Sequence, residues 1–147
     1  MVYRELSLFD EPEDEEKAKL MKEVEAIDLK PLFERLAKSK FRSSFYLNAK
    51  DKEYIRQHGW TKIEQGVGET IARRLAPADI PNDGRQTPMR HGVFPPFIAQ
   101  HATGCCCRGC LAKWYGIPKG RQLTVKEQIL LTRVVMTWLH RQCDNDF

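Results

Sequence analysis

The 147-residue chain lacks any apolar run of the roughly 18 residues that a membrane-spanning helix needs, which excludes that kind of anchor. Its start lacks the charged-then-apolar pattern of a secretory leader, so a cytoplasmic location is expected. There is no second C-x-x-C pair, which excludes the usual zinc fingers. The zinc-deaminase pattern needs a glutamate two residues after its histidine to move protons. Here Ala102 and Thr103 follow His101, and no acid occurs between Asp83 and Glu127, so that chemistry is excluded too. Gly66 and Gly68 stand too far from any strand pattern to form a nucleotide loop, and no internal repeat is visible.

What the chain does have is concentrated. Residues 101–110 read His-Ala-Thr-Gly-Cys-Cys-Cys-Arg-Gly-Cys, placing four of the five cysteines beside a histidine. In a reducing compartment such clustering points to metal or catalysis before disulfides. Charge is also divided unevenly. Residues 1–28 carry ten acids against four bases, and the remainder carries 20 bases against 10 acids. Between Arg73 and Arg121 eight bases face only Asp79 and Asp83, an excess that suits an anionic partner: nucleic acid or a phosphorylated ligand.

The fold class expected is all-α, a single compact helical domain over residues 17–147 preceded by an acidic flexible arm over 1–16. Periodicity predicts helices over Lys17–Ala26 and Lys30–Lys38, an aromatic stretch from Phe41 to Leu47, and a short helix from Asp51 that stops at Gly59. Thr61-Lys-Ile-Glu64 reads as a capping box opening a helix to about Leu75, and Thr124-Val-Lys-Glu127 as one opening a final helix to about Gln142. Leu131, Val135, Trp138 and Leu139 stripe that last helix as core. Between these helices lies a long irregular loop from Ala78 to Pro96, followed by short helices at Phe97–Thr103 and Cys107–Tyr115 that Gly104 separates.

Zinc takes four ligands in a tetrahedron, and sulfur and imidazole nitrogen are its preferred donors. Cys107 and Cys110 have the spacing that lets one turn clasp a metal, and Cys106 shares a helix face with Cys110 at i, i+4. His101 is near enough to complete a metal set of His101, Cys106, Cys107 and Cys110, with His91 or Cys143 as outside donors. Cys105 is the least favoured member. An iron–sulfur cluster is the lesser cofactor candidate, because three consecutive cysteines match no familiar ligand spacing. The anion-binding set is Arg85, Arg90, Arg108, Lys119 and Arg121. Two rival functions remain. One is an enzyme with a thiol nucleophile at Cys106 or Cys107, a base at His101 or His91, and Asn82 or Asp83 orienting that base. The other is an interaction protein with a purely structural metal. Gly116-Ile-Pro-Lys-Gly120 is faintly like a DNA-binding hairpin, although its proline removes one amide donor.

Leu75-Ala-Pro, Asn82-Asp-Gly-Arg-Gln-Thr-Pro-Met89, Phe97-Ile-Ala-Gln-His-Ala-Thr103, Cys106-Cys-Arg-Gly-Cys-Leu111 and Ile117-Pro-Lys-Gly120 together resemble an uncharacterised bacterial and phage family, domain of unknown function 4186. The resemblance spans about Ser39 to Trp138. It implies departures at Cys105, where a threonine is expected, and at Tyr115, where a histidine is common. The family carries no established activity, so the resemblance supports the site and leaves the reaction open.

Overall fold

A computed structural model describes residues 15–144, and within them every regular element is helical. Helix α1 covers residues 15–25, α2 Lys30–Lys38, α3 Ala49–His58, α4 Trp60–Arg74, α5 Pro96–Thr103, α6 Arg108–Tyr115 and α7 Val125–Gln142. A single 3₁₀ turn, Arg42–Ser44, joins α2 to α3. The acidic arm lies outside the described residues as far as position 14, and Glu15 and Glu16 belong to α1.

Helix α5 is the centre of the molecule, since all eight of its residues are buried. Helices α4 and α5 pack on α7, while α2 and the 3₁₀ turn close over α5 from the other side. Ile63, Val67 and Ile71 from α4 meet Leu131, Val134, Val135 and Leu139 from α7 in one continuous cluster. Each such side chain contributes about 1.5–3 kcal/mol on full burial. Trp138 is partly buried against this cluster, in keeping with its expected core role. Helix α1 is tied to α7 by Arg133, whose guanidinium donates to the carbonyls of Val24 and Ile27.

The helix ends test the expected start signals. Asn48 and Asp51 form a reciprocal capping box for α3, and Thr124 and Glu127 form one for α7. The capping box expected at Thr61 is not made. Gly59, at φ 84°, ends α3 and begins α4 with no residue between, so α4 starts at Trp60 without a side-chain cap. Gly66 costs that helix roughly 1 kcal/mol in propensity. Its missing side chain makes room for Phe94, because a Cβ there would stand 2.8 Å from Phe94 Cζ.

At the start of α7, Arg121 grips Glu127 through two bonds of 2.8 and 2.7 Å. That ion pair, aided by the backbone and hydroxyl of Thr124, pulls the Glu127 carboxyl down to about 2. An unfolded glutamate titrates near 4.3, so this stabilisation is complete above that pH and is lost as pH falls through the folded value. Glu127→Gln should therefore be less stable than wild type at pH 7, and the difference should shrink from about pH 4.5 downward. Urea denaturation at pH 7, 4 and 3 checks this; a difference independent of pH would refute it.

Candidate metal centre

The cysteine segment lies where α5 ends and α6 begins. Gly104 takes the left-handed conformation (φ 73°) that caps α5, with Trp114 packed so closely that a Cβ would stand 2.7 Å from its ring. Cys107 is then extended (φ −159°, ψ 168°) and caps α6, its sulfur accepting from the Cys110 amide at 3.3 Å. This break in helical geometry lets the neighbours Cys106 and Cys107 converge, which regular structure would forbid. Cys110 Sγ lies 3.4 Å from Cys106 Sγ and 3.0 Å from Cys107 Sγ, and all three sulfurs lie within 4.8 Å of one another. In a tetrahedral zinc site with bonds of 2.3 Å, sulfurs are about 3.8 Å apart, so the trio needs only small adjustments to hold one ion.

Arg42 closes this group from the far side of the sequence. Its guanidinium is 3.5 Å from Cys106 Sγ and 3.2 Å from Cys110 Sγ, anchored by a 2.7 Å bond to the His101 carbonyl. The residue is only 9% exposed. Burial works against the cation, yet its bonds to the two sulfurs leave its pKa above the ordinary value. In return, the contact with Cys110, and then Arg42, holds the Cys106 thiol below its usual value despite burial. Burial pushes Cys107 up, and Cys110 is pushed up by its bond to Cys106. Of the three thiols, Cys106 is thus the one that gives up its proton most readily. Sequence reasoning did not include Arg42; the acid-free, basic run around it was the available signal.

The remaining candidate residues divide sharply. His101 is buried beside the trio but is not part of it: its Nε2 donates to the Thr87 carbonyl at 2.8 Å, and its ring stacks on Phe45. Burial lowers its pKa, and through Thr87 it holds the loop to α5. Cys105 is buried against Tyr115 (3.2 Å), and burial pushes its thiol up to about 11. The two positions that depart from the family resemblance thus touch each other. Tyr115 donates to the Thr103 carbonyl, a link within the α5–α6 junction.

Arg108 has to be removed from the anion-binding set. It is 3% exposed, and its guanidinium donates to the carbonyls of Leu75, Pro77, Pro118 and Arg121 at 2.9–3.2 Å. Nor do Asn82 and Asp83 orient a base. Asp83 accepts from the amides of Arg108 and Gly109, capping α6, and pairs with Lys119 at 3.5 Å. The acid that does orient a histidine is Asp51, fully buried, which holds His91 Nδ1 at 2.5 Å and the Gly92 amide at 2.7 Å. Arg121 is bound to Glu127. Arg85 and Arg90 are exposed and make no ion pair or side-chain hydrogen bond among the described residues. A cavity of about 360 Å³ opens elsewhere, between Arg73, Arg74, Asp79, Ile80 and Gln86, and does not include the thiols.

One family profile, a domain of unknown function (DUF4186), matches residues 30–140, which takes in every helix from α2 to α6, the thiol trio and nearly all of α7. The chain belongs to the DUF4186 family. No solved structure matches it. In this DUF4186 protein the three sulfurs can hold a metal ion, and no helix among the described residues is long and apolar enough to cross a membrane.

Proposed function

We propose that this DUF4186 protein binds zinc through Cys106, Cys107 and Cys110 and uses its exposed cations to bind nucleic acid. The observation that carries the metal half is Arg42, a buried guanidinium aimed at two of the three sulfurs. Unlike Arg108, whose guanidinium bonds all go to carbonyls, Arg42 turns two of its contacts onto sulfur, and a thiolate there would offset the buried charge. Three thiolates and one divalent ion leave a single negative charge, which Arg42 neutralises. His101 lies outside the group of three sulfurs and its Nε2 is committed to the Thr87 carbonyl, so a fourth donor to zinc would have to be water or an outside ligand.

Support for the anionic partner comes from Arg85 and Arg90, which stand in an acid-free stretch and are exposed. Elemental analysis of protein purified without a metal-affinity tag tests the metal half. About one equivalent of zinc is expected, and cobalt substituted for it should give the intense charge-transfer band of several thiolate ligands. Less than about a tenth of an equivalent of any transition metal would sink it; iron with labile sulfide would make the site a cluster instead.

A further inference from the structure

Residues 35–50 contain five bases (Arg35, Lys38, Lys40, Arg42 and Lys50), no acid, and three aromatic residues, Phe41, Phe45 and Tyr46. Folding sorts these aromatics. Phe45 turns inward, while Phe41 and Tyr46 are 52% and 58% exposed. Each exposed ring is backed by a second one. Phe41 meets the edge of Phe45 at 5.1 Å, and Phe45 is stacked on buried His101. Tyr46 rests on His91 at 5.2 Å, and buried Asp51 fixes His91 through Nδ1. The two outer rings are therefore held by ring contacts, and the partner of the second, His91, is itself fixed by a hydrogen bond.

Arg42 Cζ lies 5.0 Å from the centroid of the Phe41 ring, and further cations adjoin both rings along the chain. Lys40 precedes Phe41 and Arg90 precedes His91, and the stem of Lys50 runs alongside Gly92, where a Cβ would meet it at 3.6 Å. Lys38, Lys40, Lys50 and Arg90 are exposed and make no ion pair among the described residues. The neighbouring acid, Asp51, is buried and bonded to His91, Gly92 and Asn48, and it makes no ion pair with these cations.

From this juxtaposition we infer that Phe41 and Tyr46, with Lys38, Lys40, Lys50 and Arg90 around them, form a binding face for single-stranded nucleic acid. A flat ring with a cation beside it matches an unpaired base and its phosphate. A duplex hides its base faces in the stack and would leave both rings unused. Because the rings are already oriented, little side-chain freedom is lost on binding. The inference rests on the nucleic-acid half of the proposed function and is independent of the metal.

Fluorescence anisotropy tests it, using zinc-loaded protein, an oligothymidylate of about twenty nucleotides, a duplex of equal length, and phosphatidylserine vesicles as competitor. The single strand should bind at least about tenfold more tightly than the duplex. Phe41→Ala and Tyr46→Ala should each weaken it about tenfold without changing the salt dependence, and both should melt like wild type because the rings are exposed. Lys40→Ala should instead reduce the logarithmic salt slope by about 0.7, one phosphate contact. Equal affinity for duplex, with both ring variants unaffected, would overturn this face while leaving general nucleic-acid binding in place. Preference for vesicles would overturn it in favour of a membrane surface. No binding of either nucleic acid would remove the nucleic-acid half of the function too, and zinc content on the same sample reports the metal half separately.

Discussion

Arg108→Ala is expected to destabilise the protein by about 4 kcal/mol, and Arg108→Lys to recover less than half of that despite keeping the charge. The guanidinium reaches four carbonyls from two separate segments, Leu75 and Pro77 after α4, and Pro118 and Arg121 after α6. Leu75 and Pro77 lie where α4 ends, and the other two lie in an irregular connection, so no helical ladder satisfies them. A charged hydrogen bond contributes about 1.5–3 kcal/mol, and a buried carbonyl left without a donor costs about 1–3 kcal/mol. These terms do not add in full, because the freed segments relax and admit water. An ammonium is compact and cannot span four acceptors arranged around a planar fork. The cation also stands at the first position of α6, where the helix dipole disfavours it, and the Asp83 cap offsets this. Urea denaturation followed by circular dichroism measures the effect. A loss under about 1 kcal/mol for Arg108→Ala would mean that the four carbonyls find other partners.

Cys110→Ser should lower zinc affinity by about a hundredfold or more, whereas Cys105→Ser should leave it unchanged. Cys110 is the one sulfur within 3.4 Å of both others, so its loss separates the remaining pair. Cys105 is buried and bonded to Tyr115, pointing into the α5–α6 junction. Structural zinc sites of four ligands contribute roughly 10–16 kcal/mol of binding, so one ligand is worth several kcal/mol. Arg42→Met should fall between the two, at about ten- to a hundredfold, as for partners that orient or neutralise ligands without touching the metal. Competition with a chromophoric chelator ranks all three variants. Equal losses for Cys105→Ser and Cys110→Ser would place the metal elsewhere in the segment. The fold itself should survive Cys110→Ser. The three sulfurs come from five consecutive residues, and the main core of α4, α5 and α7 is built from aliphatic side chains without them.

Much of the helix layout was legible from local chemistry. The bounds of α2 agree with the periodicity, and α7 opens at the Thr124–Glu127 box as expected. The failure at Thr61 is instructive: the same motif was present, but Gly59 had already turned the chain, and α4 began before the box could act. Long-range partners are a different matter. Arg42 meets Cys106 across 64 positions, and Asp51 meets His91 across 40. Neither pairing leaves a trace in spacing, because it depends on how α5 is enclosed.

On its own, the sequence determined that this would be a helical protein with a thiol-rich break between two short helices, since periodicity, caps and C-x-x-C spacing act over a few residues. Burial was decided only by the tertiary structure, because the environment of a charge or a ring is set by whatever packs over it. Packing turned Arg108 from a surface cation into an internal brace and brought Arg42 inward to the sulfurs. It also left Phe41 and Tyr46 outside, near cations that make no ion pair among the described residues.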